Sequence, residues 1–591
     1  MTSNNRLNKW YWRVYPLWVF LIISLLIMIF RLVQLQVSDK ENGNIFLKKQ
    51  GDARTLRDEV IYARRGEIFD RNGRLLAFST PVQTIWANPK IMDVTKIDFQ
   101  KLSSILEMEI DFLKNKLSKN TQFVYLSRQI SPEKASIVMS EKIKGIFSKT
   151  EYKRFYPAGE VVSHLVGFTD IDDRGQEGIE LSFDNDLRSK FGLKKVMRNA
   201  HHETIKDIKQ IKIPQNGKKI NLSIDLRVQY IAYKELKRAV KKHNAKSGSV
   251  VIIDTNTGEV LALANQPSFN SNDRKQFFPE RIRNRAIIDM FEPASTMKPF
   301  TVMAALESEK FDESSVIDTS PGILKIGDKI INDHRNFGQV DFTTLLAKSS
   351  NVGVSKVALS LDVDHMHSLF SRVGFGEFCA TGFPGEQSGY LPNHSEWVDI
   401  KKANLSFGYG LSVNAIQLAR AYGVIANEGV KKPISLLRVR ENPSINLSDN
   451  YEVVSSLITK KILNMMEKVV TKEGTGVKAK IPGYRVAGKT GTAKKVSKKG
   501  YEEGNYRATF AGIIPASSPR LVAIITIDDP QGDEYSGGDV AAPIFSKVME
   551  PVVRLLNIPP DNTNEINHEV FLSQKKINEV IKGTKESHGS A

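Results

Sequence analysis

The strongest chemical candidate in this chain is a serine followed three residues later by a lysine. Ser295 and Lys298 lie in FEPASTMKPFTVMAALES, where Pro293 leads into an apolar helical stretch. At a helix start, an offset of three brings two side chains to one face, within hydrogen-bond range. A serine hydroxyl is a poor nucleophile until a base takes its proton, and a desolvated lysine with a lowered pKa can do so. The pair therefore predicts a nucleophilic serine.

The spacing alone is not specific, because it occurs three times. Ser131 and Lys134 lie in a charged stretch, and Ser573 and Lys576 lie near the C-terminus, so we expect both pairs at the solvated surface. For Ser295 taken alone, the ordinary alternative is a helix N-cap followed by an exposed lysine.

Two further segments give Ser295 its context. AKSSNVGVSK begins its Ser-x-Asn element at Ser349, 54 residues after Ser295, and this element ends at Asn351. VAGKTGTAKK begins its Lys-Thr-Gly element 138 residues after Asn351, and it holds Lys489, Thr490, Gly491 and Thr492. Ser-x-x-Lys, then Ser-x-Asn, then Lys-Thr-Gly is the ordered triple of serine enzymes that recognise penicillin.

The third segment also matches a nucleotide-binding pattern. Residues 483–490 fit G-x-x-x-x-G-K-[ST] letter for letter. A P-loop needs an apolar strand before its first glycine and a helix after its threonine, whereas VKAKIP precedes here and Gly491-Thr492 follows. We therefore reject nucleotide binding.

With these motifs, the chain resembles the class B penicillin-binding proteins, and most closely their septal D,D-transpeptidases of Gram-negative cell division. The resemblance runs from the N-terminal apolar segment to about residue 556 and includes RRGEIFDRNGRLLA, YPAGEVVSHLVGFTD and SFGYGLSVNAIQLARAY. One departure is Ala294, where the family usually has glycine before the nucleophile.

The resemblance implies a role for each site residue. Ser295 would attack the carbonyl between two terminal D-alanines, Lys298 would be the general base, and Ser349 would relay the proton to the leaving amine. Asn351 would bind Lys298 and the substrate amide, and Lys489 would keep the local field positive. The substrate and oxyanion side would consist of Thr490, Gly491 and Thr492. No metal or cofactor is implied.

The implied activity is crosslinking of septal peptidoglycan stem peptides through an acyl-enzyme that β-lactams also form. Elongation-type transpeptidation is the alternative, and a β-lactam sensor or division scaffold is a weaker one. A β-lactamase is disfavoured by the length and the apolar N-terminal segment, and a bifunctional enzyme by the lack of a glycosyltransferase signature before residue 230. The implied partners are a SEDS-type membrane glycosyltransferase and other divisome membrane proteins.

The elements that position these motifs begin with a membrane anchor. LWVFLIISLLIMIF and its apolar neighbours are long enough to span a bilayer. Arg6, Lys9 and Arg13 precede this run without an acidic residue, so we expect a cytoplasmic N-terminus. A cleaved signal peptide is disfavoured because no small-x-small site follows. The expected location is the inner membrane, single-pass, with a periplasmic catalytic domain at the division septum.

The 591 residues predict several domains. We expect a cytoplasmic segment at 1–14, an anchor at 15–37, an elongated α+β pedestal or dimerisation domain at 38–220, a transpeptidase domain at 221–556 and a flexible polar tail at 557–591. The transpeptidase fold would be an α/β arrangement with a five-stranded antiparallel sheet flanked by helices. The net charge of +18 is assigned to a solvated surface, not to nucleic acid. Cys379, the one cysteine, excludes an internal disulfide.

Local patterns add four expectations. Asn72-Gly73 predicts a hairpin, residues 225–244 predict a helix, and residues 247–265 predict two strands at the edge of a larger sheet. We also expect the charged residues of RRGEIFDR to form one salt-bridged structural network: Arg65, Glu67, Asp70 and Arg71.

Overall fold

The computed structural model describes residues 5–37, 44–199, 204–439, 451–497 and 500–562. The chain divides into two compact units, Met1–Arg64 with Ser189–Gly217, and Arg65–Arg188 with Lys218–Ala591. The predicted tail lies outside the described residues from 563 onward.

The first unit contains the predicted membrane-spanning helix. This helix covers Asn5–Val37, and within it Val14–Gln36 has a mean hydropathy of 2.5, which is long and apolar enough to cross a membrane. In the described residues it is the one helix of that kind. The unit also holds a helix and an antiparallel three-stranded sheet, with bounds Asn44–Thr55, Leu56–Ile61, Gly192–Arg198 and Thr204–Lys212.

The second unit begins with a five-stranded sheet whose strands are Ile68–Phe69, Leu75–Ala87, Val124–Ile130, Ile146–Phe155 and Ile220–Asn221. The hairpin at Asn72-Gly73 is confirmed, because the first two strands pair antiparallel across it and Gly73 has a φ of +78°. Three helices supply the apolar core of this sheet at Phe99–Leu106, Ile110–Leu117 and Pro132–Ser140.

A buried ion cluster ties this region together. Arg65 lies 2.7 Å from Glu180 and 2.7 Å from Asp184, and Arg154 lies 2.6 Å from Glu180. The side chains of Arg65, Glu180 and Arg154 are almost completely buried. We refer to Arg65, Arg154, Glu180, Asp184 and the neighbouring Asp173 as the pedestal ion cluster.

The predicted network within RRGEIFDR is therefore wrong. Glu67 pairs with Lys219, and Arg71 pairs with Glu259. The carboxylate of Asp70 accepts hydrogen bonds from backbone N–H groups of the hairpin turn and of residue 226. Because the segment enters a strand and then turns, its side chains leave the backbone in different directions and meet different partners.

The region that carries the three motifs is built on a second five-stranded sheet. Its strands are β1 (Ser247–Asp254), β2 (Val260–Gln266), β3 (Ala487–Ser497), β4 (Gly500–Ile514) and β5 (Leu521–Asp528). All neighbours are antiparallel in the order β2-β1-β5-β4-β3, which confirms the predicted sheet and the position of β1 and β2 at one edge. The opposite edge strand, β3, carries the Lys-Thr-Gly element.

Alternate residues of each strand point to opposite sides of this sheet, and helices cover both sides. Both faces of the sheet are therefore buried. One core contains Val250 and Ile252 with helices α1 (Leu226–Lys242) and α6 (Ala542–Leu555). The other core contains Val251 and Ile253 and a larger helical layer. This layer includes α2 (Lys298–Glu307), α3 (Phe342–Lys348), α4 (Asn351–Ser360) and α5 (Ala415–Ala426). Helix α1 confirms the helix predicted at 225–244.

The other α-helices among the described residues are Ser163–Val166, Gly178–Ser182, Asp184–Leu187, Pro279–Ile282, Arg285–Ile288, Val363–Val373, Asp399–Ser406 and Ser456–Glu467. Short antiparallel strand pairs join Phe168–Thr169 with Gly175–Glu177, Val316–Asp318 with Gln339–Asp341, Ile323–Ile326 with Lys329–Asn332, and Val430–Lys431 with Tyr451–Glu452.

Candidate active site

Ser295 lies on a short turn that leads directly into α2. Residues Ala294–Met297 form a 3-10 turn, and Lys298 is the first residue of α2. Thr296 anchors the turn, since its hydroxyl donates to the Pro293 carbonyl at 2.6 Å. Ser295 is half-buried, while the residues on both sides of it are buried. The predicted helix start is confirmed, and the serine is its accessible residue.

Lys298 is fully buried, with an exposed fraction of 0%. Its ammonium group donates to Ser349 O at 2.5 Å, to Ser349 Oγ at 3.1 Å and to Asn351 Oδ1 at 2.7 Å. All three acceptors are neutral oxygens of the second motif. The alternative of an N-cap serine followed by an exposed lysine is therefore wrong, because the lysine is buried inside the site.

The expected direct hydrogen bond between Ser295 and Lys298 is not formed in the part of the chain that the structure describes. The three acceptors of the 349–351 segment occupy the lysine ammonium group instead. Catalytic hydrogen bonds are often long in ligand-free sites and tighten when substrate binds.

Burial gives Lys298 an unusual pKa. Removal from water disfavours the charged amine, and the positive charge of Lys489 lowers the pKa further, so that it falls well below the usual lysine range. The carboxylate of Asp333 opposes this change. This change favours the neutral form of the amine, and the neutral amine is the form that can accept a proton.

Ser349 lies at the junction of two helices. It follows α3 with a φ of +59°, and Ser350 then caps α4 by accepting a hydrogen bond from the Gly353 N–H at 2.8 Å. The junction directs the Ser349 hydroxyl between two lysines. Lys298 lies 3.1 Å and Lys489 lies 2.9 Å from its Oγ.

Strand β3 brings the third motif to the same point. Lys489 is also fully buried, and burial lowers its pKa to about 7. Its amine also donates to the Thr490 carbonyl at 3.3 Å. Ser295, Lys298, Ser349, Asn351 and Lys489 are therefore assembled from α2, the α3–α4 junction and β3.

The next three residues of β3 have distinct surroundings. Thr490 Oγ1 lies 2.7 Å from Thr475 Oγ1, and Thr492 Oγ1 accepts a hydrogen bond from the Gly537 N–H at 3.0 Å. A Cβ atom at Gly491 would lie only 3.0 Å from the Pro293 carbonyl oxygen. Strand β3 therefore packs closely against the Ser295 turn at Gly491, and a side chain there would displace one of the two.

Two contacts were not predicted from the sequence. Thr475, in KEGTGVKA, contacts Thr490, and its backbone N–H donates to the Ala347 carbonyl at 3.2 Å, so it links α3 to β3. Asp333 accepts hydrogen bonds from the 350–352 segment. KEGTGVKA is one of the segments that carry the family resemblance, but the sequence did not predict the contact of Thr475 with Thr490. Asp333 lies in none of these segments, and no short-range pattern marks it.

The other candidate segments do not join the site. Ser131 caps the helix Pro132–Ser140, and Lys134 pairs with Glu107 at the surface, as expected. Residues 488–490 lie within β3, which agrees with rejection of the P-loop. Ser573 and Lys576 lie outside the described residues. Cys379 is buried in the core.

Comparison with known proteins agrees with this geometry. Residues 248–550 match the penicillin-binding protein transpeptidase domain, and residues 60–222 match the penicillin-binding protein dimerisation domain. The transpeptidase domain is characteristic of enzymes that act through a serine acyl-enzyme. The chain belongs to the class B penicillin-binding proteins and is a peptidoglycan D,D-transpeptidase.

Two relatives are similar over almost their whole length. The chain is 44% identical over 537 residues to the probable peptidoglycan D,D-transpeptidase PbpC of Pseudomonas aeruginosa, covering 90% of this chain and 94% of that protein. It is 41% identical over 557 residues to the peptidoglycan D,D-transpeptidase FtsI of Escherichia coli K12, covering 93% of each. Penicillin-binding protein 3 of Mycobacterium tuberculosis, solved with aztreonam, matches with a TM-score of 0.66 and 26% identity, over 85% of this chain and 98% of that structure.

Proposed function

We propose that Ser295 is the nucleophile of this transpeptidase and that Lys298 is its general base. The observation that carries the proposal is the buried Lys298 amine, whose acceptors among the described residues are all neutral and whose pKa lies well below the usual range. In the neutral form the amine takes the Ser295 hydroxyl proton as Oγ bonds to the carbonyl carbon of the penultimate D-alanine. The accessible serine lies one helical turn from the base.

Ser349 then transfers a proton to the departing amine. Its Oγ lies between the amines of Lys298 and Lys489, so a proton taken by Lys298 can pass through it to the nitrogen of the terminal D-alanine. Cleavage of the peptide bond releases D-alanine and leaves an ester on Ser295. Asn351 holds Lys298 through its Oδ1 and orients the substrate amide.

The 490–492 segment binds the other side of the substrate. Thr490 and Thr492 bind its terminal carboxylate, Gly491 keeps β3 close to the Ser295 turn, and the N–H groups of Ser295 and Thr492 stabilise the oxyanion. Such donors contribute about 3–4 kcal/mol each to the transition state. An amine from a neighbouring stem peptide then attacks the ester, restores the serine and completes the crosslink.

We further propose an anchored, septal enzyme. The helix Asn5–Val37 crosses the inner membrane with the N-terminus in the cytoplasm, because Arg6, Lys9 and Arg13 precede the apolar run. Residues 38–220 form the pedestal and 221–556 the periplasmic transpeptidase domain. The similarity to the E. coli protein named FtsI supports a role in septal peptidoglycan synthesis. A SEDS-type glycosyltransferase and other divisome membrane proteins are the proposed partners.

The covalent step is tested by intact mass after treatment with a penicillin. The wild type gains one acyl adduct, and peptide mapping places it on Ser295. Ser295→Ala gains none, whereas Ser131→Ala, which removes the serine of the surface Ser-x-x-Lys pair, labels as the wild type does. An adduct on Ser295→Ala would disprove the assignment.

The cellular role is tested by depletion in the organism that carries the gene. Filaments with unfinished septa are expected, and rescue requires the wild type and not Ser295→Ala. Rounded cells would assign the protein to elongation instead. Rescue by Ser295→Ala would favour the scaffold alternative.

A further inference from the structure

A small hairpin outside the three motifs contacts the centre of the site. Strands Ile323–Ile326 and Lys329–Asn332 form this hairpin, whose tip at Asp328 is exposed. Asp333 follows its second strand directly, and its N–H donates to the Gly322 carbonyl at 3.0 Å. The base of the hairpin is thus closed where it meets the 349–351 segment.

The Asp333 carboxylate holds three consecutive residues, Ser350, Asn351 and Val352. Its Oδ2 accepts from the Ser350 hydroxyl at 2.5 Å. Its Oδ1 accepts from the Asn351 N–H and, at 3.1 Å, from the Val352 N–H. Both N–H groups belong to the first turn of α4, where a carboxylate is favoured by the helix dipole and satisfies donors that have no partner within the helix.

The preceding residue orients the Asn351 side chain. Asn351 Nδ2 donates to the Asn332 carbonyl at 3.1 Å, and this leaves Oδ1 to accept from Lys298 at 2.7 Å. An inverted amide would set a donor against the lysine and an acceptor against the carbonyl, so both bonds would be lost. The hairpin base therefore determines which atom of Asn351 faces Lys298.

We propose that Asp333 is a positioning residue for acyl transfer, which holds the 349–351 segment so that Asn351 and Ser349 meet Lys298 in the reactive arrangement. The proposal rests on the assignment of Ser295 and Lys298 made above. Asp333 touches neither of these residues through a hydrogen bond and acts through the second motif.

The carboxylate also enters the charge balance of the site. Two charged groups affect the Lys298 amine: Lys489 from β3, which disfavours its protonated form, and Asp333 from the hairpin, which favours it. Ser349 and Asn351, the other groups in contact with the amine, are neutral. Removing the carboxylate therefore lowers the pKa of Lys298 further.

The test compares Asp333→Ala with Asp333→Asn in the full chain in detergent, using the rate constant for acylation by a fluorescent penicillin. Alanine removes all three acceptor contacts, and displacement of reacting groups by about 1 Å can cost about 10²-fold in rate. We expect a loss of that size. Asparagine keeps Oδ1 for the two N–H groups and can donate to Ser350, so it should recover most of the rate.

A pH profile separates positioning from general stability. In Asp333→Asn the acid limb of the acylation rate should move to lower pH, because Lys298 loses its proton at lower pH without the carboxylate. The matched control is Asp328→Asn, which removes the same charge from the exposed hairpin tip and should leave rate and limb unchanged.

Rates are normalised to the folded fraction measured by circular dichroism, so that an unstable variant stays informative. The proposal is overturned if Asp333→Ala acylates as fast as the control Asp328→Asn, or if Asp333→Asn is no faster than Asp333→Ala. Ser295→Ala runs in parallel: if it is acylated, the assignment of the nucleophile itself fails, whatever the Asp333 variants do.

Discussion

The pedestal ion cluster and the catalytic cleft both bury cations, but they give them different partners. In the pedestal, Arg65 and Arg154 bond to the carboxylates of Glu180 and Asp184. In the cleft, hydroxyl, amide and carbonyl oxygens surround Lys298 and Lys489.

The kind of partner determines in which direction the pKa of each buried cation is shifted. Burial disfavours the Arg65 charge, but Glu180 and Asp184 outweigh this cost and raise its pKa. Without a bonded carboxylate, burial lowers the pKa of Lys298 well below its usual range and that of Lys489 to about 7. A paired buried charge ties elements of the fold together, whereas an unpaired one becomes a base.

The largest expected effect comes from making Lys298 unable to lose its proton. Lys298→Arg keeps a cation that stays charged at any accessible pH, so general-base catalysis is lost. Acylation by a fluorescent penicillin should fall by about 10²–10⁴-fold. The control is Lys402→Met, which alters a buried lysine that bonds to the Leu361 carbonyl outside the site. Acylation of Lys298→Arg at the wild-type rate would show that the buried lysine does not need to lose its proton, and would refute this contrast with the pedestal arginines.

The next effect concerns the pedestal and should change stability alone. Glu180→Ala leaves Arg65 and Arg154 without their shared carboxylate, and breaking such a buried pair costs about 3–5 kcal/mol. Chemical denaturation of the full chain in detergent measures this loss. The folded fraction should still acylate at the wild-type rate; a slower rate would show that the two regions are not energetically separate.

Asp173 shows what happens to a carboxylate in the pedestal cluster that lacks a full set of partners. Its Oδ1 is buried without a hydrogen bond, and burial raises its pKa to about 7. Because this folded-state pKa lies above the unfolded value, the proton stabilises the fold at pH below about 4, and this contribution is lost as pH rises to 7.

Asp173→Asn removes that dependence. The variant should be more stable than the wild type at pH 8 by about 4 kcal/mol, because a pKa raised from 3.8 to about 7 corresponds to about 1.4 kcal/mol per unit, and its stability profile between pH 4 and 8 should be flatter. Asparagine also suits the backbone, since residue 173 has a φ of +63°. Denaturation at four pH values measures the effect, and parallel profiles for the two proteins would count against it.

The smallest effect concerns backbone strain at Ala294, next to Ser295. Ala294 has a φ of +49°, a left-handed conformation that is unfavourable for alanine and open to glycine. Ala294→Gly should therefore gain about 0.5–1 kcal/mol in unfolding free energy with unchanged acylation. Ala305→Gly, inside α2, should instead lose about 1 kcal/mol. A loss in both variants would mean that the strain is absent.

Local patterns predicted much of the fold. Asn72-Gly73 predicts its hairpin because a two-residue turn needs such residues, and α1 and β1–β2 follow from helical and strand periodicity. The partners of the charged residues in RRGEIFDR could not be predicted, because they are distant in the sequence: Arg65 bonds to Glu180, which lies 115 residues further along the chain. The same holds for Asp333, which no motif contains.

The chemical groups can be read from the chain alone: an ordered serine–lysine, serine–asparagine and lysine–threonine–glycine set, together with an apolar helix long enough to span a membrane. Their protonation behaviour depends on the fold. A lysine acts as a base when the fold removes water and withholds a bonded carboxylate, and burial at Lys298 depends on α2, the α3–α4 junction and β3 meeting at one point. That meeting is a property of packing between distant segments, which no local spacing encodes.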